Sequence, residues 1–526
     1  LITGVSDTRE GCEKLIRKYQ DKHHKNRIFE LAWTHSQVIL RQINATNADE
    51  QLFGRLASSI VFTNPSFRTD PSIIIKNPKK QSDLWGYSVS GDLPIVLVQI
   101  ADQSNISLIK QLIQAHAYWC LKGLAADLII WNEDNGGYRQ ALHNQIQALI
   151  PNELLGRPGG IFVRAADQIS DEDRILFQTV ARVHISDANG TLTDHVNRKA
   201  YSKSAIPYLS PTTGADCLLE IMDTYSQKEL LPPNELGGFS PSGNEYIITT
   251  DTENRTPVPW VNVIANPNFG TVITESGHAY TWTENAHEMR LTPWNNDIVS
   301  DSTGEIFYLR DEEAGNFWTA TPLPRGGRSP YTTRHGFGYS IFAHNEGGIH
   351  SEMTTFVDLE HPIKFTVLKV RNHSGKTRRL SATGYIEWVL GDLRPKTAMH
   401  ILTEIDPNTG VFFAKNPYNT EFAKRVAFFD TDDTVKTITG DRIEFIGRNG
   451  SLQNPDAMRR LKLSGKVGVA LDPCAAIQVY FELADGEERE LIFRLGTGQD
   501  MNHVYNLVKQ SRGANTASEA LEKVKN

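Results

Sequence analysis

The sequence predicts a multidomain α+β protein: a large antiparallel β super-sandwich preceded by linker helices and a small α/β segment. Three observations point there. Residues 8–63 keep apolar positions at three- and four-residue spacing with few breakers. From residue 93, short apolar runs alternate with helical stretches. From about 235 to 500, short alternating segments follow one another between Gly, Asn, Asp and Pro turns.

The bulk numbers suit that picture. With 526 residues the chain can hold several domains and bury a sizeable core without staples. Apolar content is 39%, charged content 22% and net charge −8, an ordinary soluble globular balance that leaves no basic stripe for a nucleic-acid partner. The basic cluster after "IIIKNP" is too small to change this. Cys12, Cys120, Cys217 and Cys474 lie far apart and form no C-x-x-C pair, so they read as buried free thiols rather than a zinc site or a disulfide framework. No apolar run reaches the roughly 18 residues of a membrane span. The chain opens "LITGVSDTRE" without Met and ends inside a helical pattern, as a piece of a longer polypeptide would.

Taken in order, residues 1–70 read as linker helices, with Asn47 as the N-cap of a second helix before "ADEQLFGRL". Residues 71–230 read as the small α/β segment and its connection. "SIII" is a short strand in its opening stretch. "PIVLVQI", "ADLIIWN", "GGIFVRA" and "VHIS" are buried strands, with helices at "NISLIKQLIQAHAYWCLKGL", "GYRQALHNQIQALI" and "DEDRILFQTVAR". Ser170 with Asp173 forms a capping-box start for the last of these. A further helix is predicted at "ADCLLEIMDTYSQKEL". Residues 231–500 hold the super-sandwich, with strands such as "NEYIITT", "AYTWTEN", "EIFYLRD", "IKFTVLKVRN" and "RVAFFDT", arranged as two large stacked sheets. Residues 501–526 turn helical again.

Chemistry-bearing residues concentrate in "GHAYTWTENAHEMRLTPWNND", residues 277–297. Aromatic rings with carboxylates beside them suit a sugar: the C–H face of a pyranose stacks on the ring and polar groups fix its hydroxyls. Trp282, Glu284 and Trp294 are the candidates, with Trp260 and Trp318 nearby in sequence. The alternative is that these tryptophans fill the sandwich core. Glu284 with Glu288 imitates a glycosidase acid/base pair, which needs about 5 to 9.5 Å between carboxylates. "HEMR" is only a fragment of a zinc motif, and no metal site is indicated. "RHGFGYS" adds Arg334 and His335, with glycines that fit a bulge or close approach in a strand equally well. In the α/β layer the first strand–helix turn, "QIADQSN", lacks any phosphate-binding glycine pattern. Glu133 and Asp134 in "WNEDNGGY" follow a strand, where open α/β sheets place ligands, though Gly136 and Gly137 also suit a plain turn.

The run containing "TPVPWVNVIANPNFGTVITESGHAYTWTENAHEMRLTPWNND", "YTTRHGFGYSIF" and "LKVRNHSGKTRRLSATGYIEWVLGD" resembles the N-terminal β-sandwich of glycoside hydrolase family 94, the inverting disaccharide and oligosaccharide phosphorylases. "LFGRLASSIVFTNPSFR", "LIIWNEDNGGYRQ" and "RPGGIFVRAADQISDEDR" extend the resemblance to the C-terminal half of bacterial cyclic β-1,2-glucan synthases. That resemblance implies phosphate attack on an anomeric carbon, with one protein carboxylic acid protonating the glycosidic oxygen. It places that acid on an (α/α)6 helical barrel following the sandwich, so no catalytic residue is expected in this chain. Inorganic phosphate or a sugar nucleotide would be a substrate of the larger protein, and no cofactor is implied. Implied partners are β-1,2-glucan or another glucooligosaccharide, the helical barrel of the same polypeptide, and a second copy. Also implied is a bacterial inner-membrane parent with this region cytoplasmic. The sugar-facing positions expected are Trp282, Glu284, Trp294, Arg334 and His335. A free-standing hydrolase using Glu284 or Glu288, and a purely structural or oligomerising sandwich without a sugar site, are the alternatives.

Overall fold

The computed structural model describes residues 3–134, 139–197, 206–213, 230, 234, 236–513 and 515–526. The chain divides into two compact units, Leu1–Ile73 with Gln81–Tyr201, and Ile74–Lys80 with Ser202–Asn526.

In the first unit, strands Ile161–Ala165, Asp127–Asn132, Ile95–Ile100 and Ala181–Ser186 lie side by side in that order, all parallel. Helices cover the sheet, so the strands read as near-continuous apolar runs such as IVLVQI. Its core gathers Val96, Val98, Leu128 and Ile130 of the strands with Ile109 and Leu112 of helix Ile106–Leu121. The stretch expected as helix from 8 to 63 is three helices, Arg9–Gln20, Lys22–Gln42 and Asn47–Val61. Asp21 ends the first and caps the second, its side chain accepting from the His23 amide. The third joins the α/β core through Phe53, Leu56 and Ile60, and Trp119 Nε1 donates to the Phe53 carbonyl at 2.9 Å.

Two local expectations are corrected. The N-cap of Asn47–Val61 is Thr46, not Asn47. Thr46 and Asp49 satisfy each other's backbone amides in a capping box, which Asn47 at the first helical position has no geometry to do. "SIII" is not a strand: Pro71–Ile74 is a helical turn, because Asp70 accepts from the Ser72 amide at 2.8 Å and Pro71 is pre-set for the first helical position. Ser170 does cap helix Asp171–Val180, accepting from the Asp173 amide at 3.2 Å. The helix expected at "ADCLLEIMDTYSQKEL", with Cys217, lies outside the described residues, as do Gly136 and Gly137.

The second unit is the super-sandwich. A ten-stranded antiparallel sheet runs from Leu402–Ile405 at one edge to Gly237–Phe239 at the other. Its central strand Ile363–Asn372 pairs with Ile349–Val357 and Glu488–Gly498. A five-stranded sheet has the order Phe317–Thr319, Glu305–Asp311, Arg378–Glu387, Pro473–Leu483, Lys436–Asp441. Beyond the two sheets expected there is a third, of strands Val261–Asn266, Phe269–Thr274 and Ala279–Thr283. One core joins all three: Phe342, Leu368 and Phe493 from the large sheet, Leu309, Ala382 and Ile477 from the second, Phe269, Ile273 and Ala279 from the third. Strand side chains alternate faces, so each sheet contributes every second residue to this core. Helices Met501–Ser511 and Thr516–Lys525 bring Val504, Leu507 and Ala517 against Phe365, Phe413 and Phe428 of the large sheet.

Of the described cysteines only Cys474 is buried. Cys120 is exposed and Cys12 half-buried, which corrects the reading of all as core thiols. Cys120 faces outward on helix Ile106–Leu121, while the apolar stripe of that helix is carried by Ile109, Leu112 and Ile113. Among the described residues no helix is long and apolar enough to cross a membrane.

Candidate functional site

Strand Ala279–Thr283 is an edge of the three-stranded sheet. Its period of two sends Ala279, Thr281 and Thr283 inward and Tyr280 and Trp282 to the other face. Across the sheet Tyr280 pairs with Val272, which pairs in turn with Val263, and Trp282 pairs with Gly270, which pairs in turn with Ala265. Gly270 is there because Trp282 needs its space: a Cβ on Gly270 would sit 2.4 Å from Trp282 Cζ2. The rings then run on, each touching the next. Trp282 to Tyr280 is 5.2 Å between centroids, Tyr280 to Trp294 is 4.8 Å and Trp294 to His278 is 5.5 Å. Trp282 and Trp294 are half-buried, whereas Trp318 is core. Much of each ring face is therefore used inside the protein.

The acids of this window part company after the strand. Glu284 takes a left-handed backbone conformation, φ 58°. Its carboxylate accepts from Arg425 Nε at 2.5 Å and Nη2 at 3.1 Å, a forked pair that satisfies both oxygens. Asn285 Oδ1 accepts from the amides of His287 and Glu288, each at 2.9 Å, and turns these two outward. His287 Nδ1 then lies 2.7 Å from Glu288 Oε1 with both side chains largely exposed. Glu284, engaged by a guanidinium, and Glu288, engaged by an imidazole in open solvent, do not resemble a desolvated acid facing a base.

On the inward face of the same strand stands an ion pair that sequence reading did not single out. Lys364 Nζ donates to Glu305 Oε2 at 2.7 Å and to Thr271 Oγ1 at 3.0 Å, and Thr281 and Thr292 hydroxyls each donate to Glu305 Oε1 at 2.6 Å. Both charged side chains are 3% exposed. Burial pushes the Glu305 carboxyl up, but the Lys364 charge and the hydroxyls outweigh it and hold it below the ordinary range. This network pins the sheet that carries the ring run. Period-two threonines in an otherwise apolar strand were its only sequence signal.

Arg334 and His335 lie on another sheet, in strand Tyr331–Gly336. Arg334 Nη2 donates to Glu352 Oε2 at 2.9 Å, with Glu245 at 3.9 Å. His335 Nδ1 stands 2.9 Å from Ser340 Oγ, and burial pushes its pKa down to about 4. So the structure brings Trp282 and Trp294 together through Tyr280, and commits Arg334 and Glu284 to separate ion pairs. In the first unit, Glu133 Oε1 accepts from Gln99 Nε2 at 3.1 Å, and Gln99 Oε1 is 2.7 Å from His184 Nε2. Burial pushes Glu133 up and His184 down to about 4. The Asp134 amide is tied to Asn132 Oδ1.

A cavity of about 390 Å³ opens at one end of the sandwich, within the usual range of small-molecule sites. Thr250, Asp251, Arg255, Glu275 and Asp301 supply its polar lining, and Val258, Pro259 and Leu323 part of its apolar wall. These residues come from turns scattered over 70 positions, and no spacing pattern announces them.

The second unit is thus an antiparallel super-sandwich module of three sheets, the smallest carrying a run of touching aromatic rings. The chain belongs to glycosyl hydrolase family 94, whose supersandwich domain matches residues 244–514. It is 32% identical over 99% of its length to the cyclic beta-(1,2)-glucan synthase NdvB of Rhizobium meliloti, of which it spans 19%. It is 28% identical over 50% of its length to the N,N'-diacetylchitobiose phosphorylase of Vibrio furnissii, and 25% identical over 48% to the solabiose phosphorylase of Paenibacillus borealis, spanning 33% of each.

Proposed function

We propose that this chain is the supersandwich-bearing part of a cyclic β-1,2-glucan synthase, serving chain-length control rather than carrying the reaction's acid. One observation carries the choice among relatives. The phosphorylases match about half the chain, whereas the glucan synthase matches 99% of it, the parallel α/β unit included. In this reading the sandwich supports an (α/α)6 helical barrel that supplies the proton to the glycosidic oxygen. Phosphate or a sugar nucleotide is a substrate of the whole protein, and the ring run around Trp282 and Trp294 contacts the glucan.

The engagement of Glu284 by Arg425 and the open position of Glu288 support a non-catalytic sandwich over a free-standing hydrolase. A scaffolding role without sugar contact draws on a different observation: Val258, Val261 and Val263 leave an apolar strip exposed beside the rings. Two measurements test the proposal. β-1,2-glucan with phosphate and this chain should release no glucose 1-phosphate. Calorimetry with long β-1,2-glucooligosaccharides should show binding that Trp282→Ala weakens. Phosphorolysis by this chain would overturn the first part, and long-chain affinity unchanged by Trp282→Ala the second.

A further inference from the structure

We infer that the 390 Å³ cavity at the end of the sandwich is a second sugar subsite, built to hold one terminal, neutral, polyhydroxylated ring. The choice of glucose as that ring rests on the proposed function; the existence of the subsite does not.

Four features make the case. First, the cavity has the volume and the mixed walls of a small-molecule site: carboxylates, hydroxyls and a guanidinium interleaved with Val258, Pro259 and Leu323. Second, Thr250, at the end of strand Glu245–Thr250, borders the cavity and is only 6% exposed, and its hydroxyl lies buried behind the wall without a hydrogen-bond partner. An unpaired buried hydroxyl carries a desolvation penalty, which rotation of the Thr250 side chain toward a ligand hydroxyl would remove.

Third, the carboxylates are fixed before any ligand arrives. Asp301 Oδ2 accepts from Thr274 Oγ1 at 2.8 Å and from Ser276 Oγ, leaving Oδ1 facing His278 Nδ1 at only 3.8 Å. Glu275 is held by Thr256 Oγ1 and by the Trp260 amide at 2.7 Å. Preorganised acceptors of this kind suit the donating hydroxyls of a sugar, and Arg255, exposed at the rim, supplies donors for its acceptor oxygens. Fourth, the donor set does not suit a metal ion: among the described residues no three His, Cys, Asp or Glu side chains are grouped to hold one. His278 also ends the ring run, so the cavity and the aromatic strip meet at the His278–Asp301 contact.

The probe is the β-1,2-linked glucose disaccharide, with methyl β-glucoside beside it, read by saturation-transfer NMR and calorimetry on the 526-residue chain. Arg255→Ala should abolish or strongly weaken disaccharide binding. Thr250→Val should weaken it about three- to tenfold, the loss of one hydrogen bond. The same Thr250→Val protein should unfold at an equal or higher temperature, since it removes an unpaired hydroxyl; that keeps lost binding separate from lost folding. Trp282→Ala should leave disaccharide binding unchanged while it lowers the affinity for long chains to that of the disaccharide.

Disaccharide binding that survives Arg255→Ala and Thr250→Val, or none by the unaltered chain, overturns the subsite. If long-chain binding that depends on Trp282 persists in either case, the glucan reading stands without it. Disaccharide binding lost in the cavity variants, with no Trp282 dependence for any chain length, keeps the subsite and removes the ring run from glucan contact.

Discussion

Glu284 and Arg425, 141 positions apart, meet in a forked ion pair that ties the turn after strand Ala279–Thr283 to the start of strand Val426–Thr431. The pair sits on a residue whose backbone is left-handed, φ 58°, where a side chain costs energy that glycine would not. The two side chains are 37% and 24% exposed, so solvent screens the pair and it contributes at most about 1 kcal/mol. The ion pair thus holds the loop in place across a left-handed backbone position.

Two substitutions separate those contributions. Glu284→Ala removes the pair and keeps the strain, so urea unfolding should show a loss of up to about 1 kcal/mol. Glu284→Gly removes both, and should be more stable than the alanine variant by about 1 kcal/mol. An alanine variant as stable as the glycine one would show that the left-handed backbone is not strained.

Much of this architecture was legible in the sequence, and the reasons differ by element. Strands such as Ile363–Asn372 and Arg378–Glu387 declare themselves by β-branched and aromatic residues between turns. The parallel layer declares itself by apolar runs such as IVLVQI between helical stretches. The third sheet was not legible as separate, because its strands carry the same period-two signal as the rest. Only pairing shows that Val261–Asn266 joins Phe269–Thr274 rather than the large sheet. At the site, the contact of Tyr280 with Trp282 was legible because i, i+2 spacing on a strand puts rings on one face, whereas Trp294, twelve residues further on, reaches Tyr280 only through the fold. Glu284's engagement was not, since its partner lies 141 residues away. "SIII" misled because three isoleucines favour a strand, while the Asp70–Pro71 start that precedes them favours a helical turn.

The Glu305–Lys364 pair should be costly to break and cheap to replace. Lys364→Met leaves a buried carboxylate with hydroxyl donors only, and should cost about 3–5 kcal/mol in chemical unfolding. Glu305→Gln combined with Lys364→Met should recover most of that loss. Because the folded Glu305 carboxyl lies below its ordinary 4.5, its contribution is complete above that value and disappears as pH falls through the lower folded one. The single variant should therefore lose less stability than the unaltered chain on going from neutral pH to pH 3. An equal pH dependence in both would place the acid sensitivity elsewhere.

His335 also loses stability on acidification, but through burial of a neutral imidazole rather than through a lost ion pair. Burial pushes it from its ordinary 6.5 down to about 4, so the unfolded chain binds a proton between these values that the folded chain does not. Stability is then complete above pH 6.5 and declines as pH falls toward 4. At 1.36 kcal/mol per pH unit the decline reaches up to about 3 kcal/mol. His335→Gln keeps a side chain able to reach Ser340 but cannot titrate. Its urea midpoint should change less between pH 7 and pH 5 than that of the unaltered chain, and identical changes would remove His335 from the acid response.

Trp282 depends on a glycine for its place, which makes the ring run open to a test that touches no ring. Gly270→Ala puts a methyl group 2.4 Å from Trp282 Cζ2 and 2.9 Å from Ala265 Cβ. The backbone of Gly270 needs no left-handed conformation, so the whole cost is steric, about 1–3 kcal/mol if the indole stays and less if it swings outward. An outward swing would break the 5.2 Å contact with Tyr280 and expose the indole, moving its fluorescence to the red. The inward threonines and the Glu305–Lys364 network are on the opposite face of the strand and should hold the sheet in place. The variant should then stay folded, show red-shifted emission, and lose affinity for long β-1,2-glucooligosaccharides as Trp282→Ala does. Unchanged emission with a normal unfolding midpoint would mean that Trp282 does not rest on Gly270.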